Sequence, residues 1–440
     1  MRAWPQGGLW RHRDFLKLWS AETISQFGTA ITGLALPLVA IIVLHASAFE
    51  VAALGTIEFA PFILFSLPAG VWVDRLRRRP ILIVGDLGRA LLLASIPVAY
   101  FADALTIWQL YVVGFLVGTL TVFFDVAYQS YLPSLVEHSD LVEGNSKLEV
   151  SRASAQIAGP GFAGALIGLL TAPYAILLDA VSFLGSGLLL FGIRKQETGT
   201  EREGVSERRS MRSELGEGLR FVLGHRYLRS IAASTATFNF FGNVSGAILL
   251  VYLVRRVHMT PGLIGLVFSL GSIGALLGAV TANRIAGRFG VGRTIVWASA
   301  ASLAGILIPL APQDKYRAIP FLVTAEIVIG AAIVIYNVNQ LSLRQALCPE
   351  RLQGRMNAVM RFLVWGTIPL GSLVGGALAS TIGLRPTIWV GVLGGMVAAL
   401  PVALSPVRSV ERIPEQVEET TVFDPLVADA GALVAESPGV

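Results

Sequence analysis

The sequence predicts an all-α membrane protein of twelve transmembrane helices arranged as two pseudo-symmetric six-helix bundles. Three observations carry this. Of 440 residues, 54% are hydrophobic and only 14% charged, whereas soluble domains carry about 25% charge. Twelve apolar stretches reach the ~20 residues that a spanning helix needs. The chain also repeats itself: Gln129 matches Gln340 and Gly164 matches Gly375, each pair 211 positions apart.

The apolar stretches run, in order, over 15–44, 50–73, 81–101, 107–132, 148–171 and 174–193, then 228–254, 261–282, 294–312, 319–343, 357–381 and 387–407. Lipid offers backbone groups no partners, so these are helices rather than open strands, and the alternation of a membrane barrel is absent. Between the second and third lies the turn Gly70-Val71-Trp72-Val73-Asp74-Arg75-Leu76-Arg77-Arg78-Arg79-Pro80. Residues 128–133 and 159–164 bracket the loop into the fifth span, and residues 339–344 and 369–375 bracket its repeat before the eleventh. These relations divide the chain into an amino-terminal half, 1–193, and a carboxy-terminal half, 228–410. The charged, glycine-containing stretch 194–227 reads as a linker. Within it Leu215, Leu219, Phe221, Val222 and Leu223 predict a short amphipathic surface helix. Residues 411–440 form an acidic tail, too polar and short to build a core, and are predicted to be disordered.

Basic residues orient the chain. With both termini inside, 29 of the 34 lysines and arginines fall on cytoplasmic segments or helix ends, leaving Arg255, Arg256, Lys315, Arg317 and Arg385 outside. That asymmetry is the positive-inside rule, so the pI near 9.5 reports topology and calls for no nucleic-acid partner. The expected location is the cell membrane, multi-pass, with both ends cytoplasmic. The basic amino end runs into a span too long for a cleavable signal. A single cysteine, Cys348, excludes an internal disulfide framework and thiolate metal sites. The five histidines lack helical i,i+4 spacing, and none of the four lysines follows a glycine, so neither a metalloprotease helix nor a phosphate loop is present. No nucleophile–base constellation appears, and neither enzyme chemistry nor a cofactor nor a metal is expected.

The 70–80 turn resembles the loop between helices 2 and 3 of the major facilitator superfamily, roughly Gly-x-x-x-Asp-Arg/Lys-x-Gly-Arg-Arg. Gly70, Asp74, Arg75, Arg78 and Arg79 fall on the pattern, and Arg77 replaces the second glycine. The continuation Ile81-Leu82-Ile83-Val84-Gly85-Asp86-Leu87-Gly88-Arg89 looks like the branch containing macrolide-efflux and enterobactin exporters. The resemblance runs from Leu9 to Val407 and implies the major facilitator fold, two bundles around a central cavity. It also implies that Asp74 faces the cytoplasmic start of helix 11, where an acid gains about 0.3–1 kcal/mol from the helix terminus, in one transport state only. Otherwise the cluster only enforces topology.

Glycines at packing spacing are Gly161, Gly164 and Gly168, then Gly271, Gly274 and Gly278, then Gly371 and Gly375. Small residues four apart let helices approach closely, and the resemblance implies that spans 2, 5, 8 and 11 line the interface between halves. Gly159-Pro160 partly matches the antiporter motif of proton-coupled drug exporters, although Ala155 and Ser146 stand where that motif prefers glycine. The alternative is ordinary membrane-helix glycine and a kinking proline.

Intramembrane acids sort by partner. Asp86/Arg89 and Glu149/Arg152 are i,i+3 pairs that neutralise each other. Glu22, Glu58, Asp179 and Glu326 have no basic residue within a turn and lie about 9–12 Å inside their helices. A carboxylate there is costly and marks a proton or substrate pathway, or else a structural hydrogen bond. Asp125, at the end of span 4, is expected to meet solvent.

These readings point to a secondary active transporter, a monomer in a lipid bilayer, exporting a small amphipathic drug- or siderophore-like compound by alternating access in exchange for protons or another cation. A metabolite importer uses the same parts. A transport-inactive receptor or scaffold would have no use for buried charge.

Overall fold

The computed structural model describes residues 8–195 and 211–413. All regular structure among them is helical. The first group comprises α1 (Arg13–Leu38), α2 (Ala48–Arg75), α3 (Arg78–Phe101), α4 (Ile107–Leu135), α5 (Leu141–Leu170) and α6 (Ala172–Phe191). A short α7 (Met211–Gly224) precedes α8 (Arg226–Arg255), α9 (Pro261–Phe289), α10 (Val291–Ala300), α11 (Leu307–Leu310) and α12 (Lys315–Ala346). Then come α13 (Glu350–Trp365), α14 (Thr367–Thr381), α15 (Leu384–Val397) and α16 (Ala399–Ala403). Taken with the short turns that continue them, these give twelve helices long and apolar enough to cross a membrane. The ninth is not one smooth helix as the sequence predicts: α10 passes through a 3-10 segment, Ala301–Ile306, into α11.

Local chemistry sets the ends. Ser47 and Glu50 form a reciprocal capping box at the start of α2. The Asp314 carboxylate accepts from the backbone N–H of Tyr316 and Arg317 at 3.1 and 2.9 Å and starts α12. Gly290, at φ +90°, turns α9 into α10, a conformation that suits a residue without Cβ. Thr171 makes the corresponding turn between α5 and α6 at φ +74°, a strained geometry for a β-branched residue. Short connections make successive helices antiparallel, so the basic residues gather at one end of the bundle. We call it the basic end and the opposite one the far end.

At the basic end, charges close helices as well as crowding there. Arg79 donates from Nε to Leu190 O at 3.2 Å and from Nη2 to Phe191 O at 2.5 Å, and Lys17 Nζ donates to Gly192 O. The last turn of α6 thus finds cationic partners for carbonyls that lack intrahelical ones. Asp14 accepts from the N–H groups of Arg194 and Lys195, tying the chain after α6 back to α1. Helix α7 occupies the predicted amphipathic stretch and lies on α13, where Glu217 pairs with Arg355 at 2.5 Å. Val410 and Glu411 accept from Gly292 and Val291, satisfying the start of α10. The remaining linker, 196–210, and the predicted disordered tail from 414 onward lie outside the described residues.

Within the first group α1 packs on α5 and α6, α3 on α4 and α6, and α2 on α4; in the second, α9 packs on α12 and α8 on α14 and α15. The groups meet through α5 against α9 and α2 against α14. The buried apolar side chains divide unequally between the ends. At the far end one continuous core joins both groups, including Leu54, Leu93, Leu110 and Ile167 with Ile248, Val251, Ile264 and Leu322. At the basic end there are two separate cores. One holds Phe15, Leu82, Phe124 and Leu190; the other holds Leu228, Ile295, Leu343 and Met356. Hydrophobic burial scales with apolar area removed from water, so the two groups adhere at the far end.

Cys348 lies between α12 and α13 in the second of these basic-end cores, 2% exposed. Burial pushes its thiol up to about 11, so at pH 8 it stays protonated and unreactive. Maleimide at pH 8 is expected to leave folded protein unlabelled and to label one site after denaturation. Rapid labelling of the folded form would place the thiol in solvent instead.

Candidate transport pathway

The closest approach between the two helix groups is backbone on backbone. A Cβ at Gly164 would lie 2.5 Å from Pro261 O and 2.8 Å from the Gly265 Cα, and a Cβ at Gly265 would lie 2.3 Å from Pro160 O. Ser269 secures the seam, accepting from Gly161 N and donating to Ile157 O, both at 2.8 Å. Gly376 of α14 meets Ala52 and Phe49 of α2, and Arg255 donates to Ala46 O at 2.6 Å. Every one of these contacts between groups lies from mid-bundle to the far end.

The other predicted interface glycines serve different contacts. Gly159 meets Ala30 of α1. Gly274 and Gly278 meet the Ile327 and Ala331 carbonyls of α12, and Gly371 and Gly375 meet the Phe240 and Val244 carbonyls of α8. These are seams inside each helix group, because spacing by four licenses close approach without specifying the neighbour. Gly265 and Gly376, which do cross between groups, were missed. The adjacent Gly262, spaced by three from Gly265, was an available signal.

The predicted acids fall in unlike settings. Asp179 is fully buried, accepts from Thr32 of α1 and from Ser182 at 2.9 Å, and fills the space opposite Gly28. That is a hydrogen-bonded clamp between α1 and α6. Glu58 lies against Gly114 of α4, and Glu326 of α12 against Gly271 of α9. Neither carboxylate has a hydrogen-bond partner among the described residues. Glu22 is 8% exposed and accepts from Gln26 Nε2 at 2.6 Å. It shares electrostatic reach with Asp86, Arg89 and Asp125, so the structure gathers an acid cluster that the sequence presented as scattered residues.

Arg89 anchors that cluster. Its guanidinium lies 4.3 and 4.2 Å from the ring centroids of Phe124 and Phe183, and it pairs with Asp86 at 2.5 Å. Asp86 also accepts from Ser186 Oγ at 2.6 Å. A charge pair held from three helices keeps its geometry while other parts move. Glu149 and Arg152 differ from the prediction: both are exposed, and they form no ion pair among the described residues. In the 70–80 turn, a Cβ at Gly70 would meet nothing within 4 Å. Arg78 is half-buried, and the side chains of Asp74 and Arg75 lie outside the described residues.

A second polar place, unpredicted, is a cavity of about 70 Å³ among α8, α10 and α12, lined by Ser234, Thr235, Phe238, Asn239, Tyr336 and Asn337, among others. Thr235 Oγ1 and Tyr336 OH lie 2.7 Å apart. The signal available was a run of uncharged polar side chains inside two apolar spans. Among the described residues no group of three or more His, Cys, Asp or Glu is placed to hold a metal ion.

Buried carboxylates between helices that meet on glycine, in a bundle of twelve spans, define a membrane transporter rather than an enzyme. The chain belongs to the transmembrane secretion effector family of the major facilitator superfamily, whose model matches residues 8–435. Its relatives include the multidrug efflux pump Tap of Mycolicibacterium fortuitum, 27% identical over 82% of this chain and 88% of that one. Another is the uncharacterized MFS-type transporter YvqJ of Bacillus subtilis, 23% identical over 81% and 84%. Among solved structures, a bacterial homologue of the iron transporter ferroportin in an inward-facing state superposes with TM-score 0.72. It is 17% identical and covers 89% of this chain and 98% of its own. The nucleoside transporter NupG gives TM-score 0.69 at 13% identity, covering 89% and 98%. The fold is that of a major facilitator transporter.

Proposed function

We propose that this chain exports a small amphipathic compound by alternating access, driven by exchange for protons. The observation that carries the reading is the division of the core: one shared apolar core at the far end, two separate cores at the basic end. Two bodies that adhere at one rim and part at the other form one of the two states that alternating access requires. The basic excess assigns the parted end to the cytoplasm of the cell membrane, which makes this the inward-open form. Residues 1–193 and 228–410 act as the rocking halves, joined by 194–227, and one chain suffices. Helices α5 and α9 separate at the Gly164–Gly265 contact in the other state, and the 70–80 turn, with Asp74 and Arg75, then closes the cytoplasmic side. Glu22 carries the proton, and Glu58 and Glu326 supply further acids along the route. Asp179, already accepting two hydroxyl hydrogen bonds, contributes as a clamp instead. The multidrug efflux activity named for Tap supports the outward direction and a drug-like cargo.

Everted membrane vesicles, given a panel of fluorescent amphiphiles in the external medium and energised by an interior-acid pH gradient, test this. Accumulation of at least one compound that collapses with the gradient is expected. Accumulation only in right-side-out vesicles would make the chain an importer, and no gradient dependence would remove the proton.

A further inference from the structure

The two halves place chemically different walls at equivalent positions. Shifted by the 211 residues that separate the repeats, Glu22 falls on Ala233, Thr23 on Ser234, and Asp125 on Tyr336. Where α1 and α4 carry two carboxylates near a fixed arginine, the stretches of α8 and α12 that line the cavity carry hydroxyls and carboxamides and no charge. The duplicated scaffold has diverged at this level into an acidic side and a neutral side.

The neutral side is a built cavity. Thr235 Oγ1 lies 2.8 Å from Ile231 O and 2.7 Å from Tyr336 OH, so these hydroxyls are held in place. Asn239 is anchored through Nδ2 to Val364 O at 3.1 Å. Asn337 lines the same cavity, and its carboxamide has no hydrogen-bond partner among the described residues. Phe238, with Ala298, Ile329, Ala332 and Ile333, supplies the larger, apolar part of the wall. With no ionised group present, the cavity offers nothing to a charged ligand that would offset its desolvation. A carboxamide and a fixed phenol suit a group that both donates and accepts. At about 70 Å³ the cavity is far below the ~300–1,000 Å³ that encloses a whole ligand. It takes one end of a molecule.

We propose that this cavity is a recognition subsite for an uncharged hydroxyl- or amide-bearing end of the transported compound, separate from the acidic side that handles the coupling proton. The proposal rests on reading the chain as a small-molecule transporter and deepens it by naming the substrate class: neutral polar-ended amphiphiles. Asn337 and Tyr336 act as specificity residues. A site that hydrogen-bonds a hydroxyl discriminates against the analogue lacking it by the net worth of that bond.

The test is equilibrium binding to purified full-length protein in lipid nanodiscs. The probes are chloramphenicol, a neutral aryl diol amide, and its di-O-methyl ether. Wild-type protein is expected to bind the diol up to roughly tenfold more tightly than the ether, the upper end of the net worth of one hydrogen bond. Asn337→Ala and Tyr336→Phe, each checked for an unchanged melting temperature, are expected to shrink that preference to about twofold or less. Asn337 is exposed in this structure, so its truncation leaves the helix packing intact. Glu22→Gln is expected to leave the preference unchanged. Equal binding of diol and ether by wild-type protein, an undiminished preference in both cavity variants, or its loss in Glu22→Gln would each overturn the proposal. Gradient-driven transport is read separately in vesicles: absence of any pH-driven movement with the binding preference intact would defeat proton-driven export and leave the subsite standing.

Discussion

Gly164→Val is expected to abolish transport while leaving the protein folded and in the membrane. The seam between α5 and α9 is closed by backbone contact, and a Cβ at Gly164 would lie 2.5 Å from Pro261 O and 2.8 Å from the Gly265 Cα. Neither neighbour can rotate away, since both are main chain. Overpacking of this kind costs about 1–3 kcal/mol, which lowers the population of the far-end-closed state by roughly five- to 150-fold. The cost falls on one state, because the halves part there in the other. Gly168→Val is the control: a Cβ there meets nothing nearer than Gly262 N at 3.9 Å. Vesicle transport by both variants, together with cross-linking of cysteine pairs placed across the far end, decides the matter. Transport by Gly164→Val at the rate of Gly168→Val would show that this seam does not close in the cycle.

Glu22→Gln is expected to remove the response to a pH gradient while sparing downhill exchange of substrate. Glu22 is buried, and its one hydrogen bond comes from Gln26 on the next turn of α1. Asp86 and Arg89 of α3 and Asp125 of α4 are the charged groups facing it. A carboxylate so placed is costly when ionised and unpaired, whereas a nearby fixed guanidinium allows it to release a proton and take it up again. Glutamine keeps the shape and the contact to Gln26 and loses only the exchangeable proton. Asp179→Asn supplies the comparison, since its hydroxyl-bonded setting predicts lower stability rather than lost coupling. Retained gradient-driven accumulation in Glu22→Gln at matched protein level would remove the proton from this residue.

The fold was legible because the bilayer imposes length and polarity on every span. The sequence range 81–101 lies within the observed Arg78–Phe101, and 107–132 within Ile107–Leu135. The break in the ninth span was not read, although Gly305 and Pro309 stand within and just after the 3-10 segment Ala301–Ile306 and weaken a continuous helix there. Among the acids, sequence could measure depth but not company. Thr32 lies 147 residues from Asp179, so a hydrogen-bonded clamp and an isolated carboxylate read alike. Of the glycines, Gly164 lies between the groups while Gly274, Gly278, Gly371 and Gly375 pack within one group, because spacing reports closeness, not the identity of the neighbour. The neutral cavity escaped notice because uncharged polar residues in a span carry a weak signal, whereas carboxylates announce their cost.

A shared core confined to the far end has a consequence for how the molecule idles. On the export cycle proposed above, a rim sealed by a shared apolar core leaves the unladen carrier open at its basic end, where the cores are separate. Cargo can then enter without any trigger, and an empty carrier offers no leak to the medium beyond. The uphill event becomes the peeling of the sealed rim, and with it the release of cargo. On the proposed exchange, a proton from the medium beyond reaches the route only after that rim has opened, so the peeling is the step whose rate would set turnover.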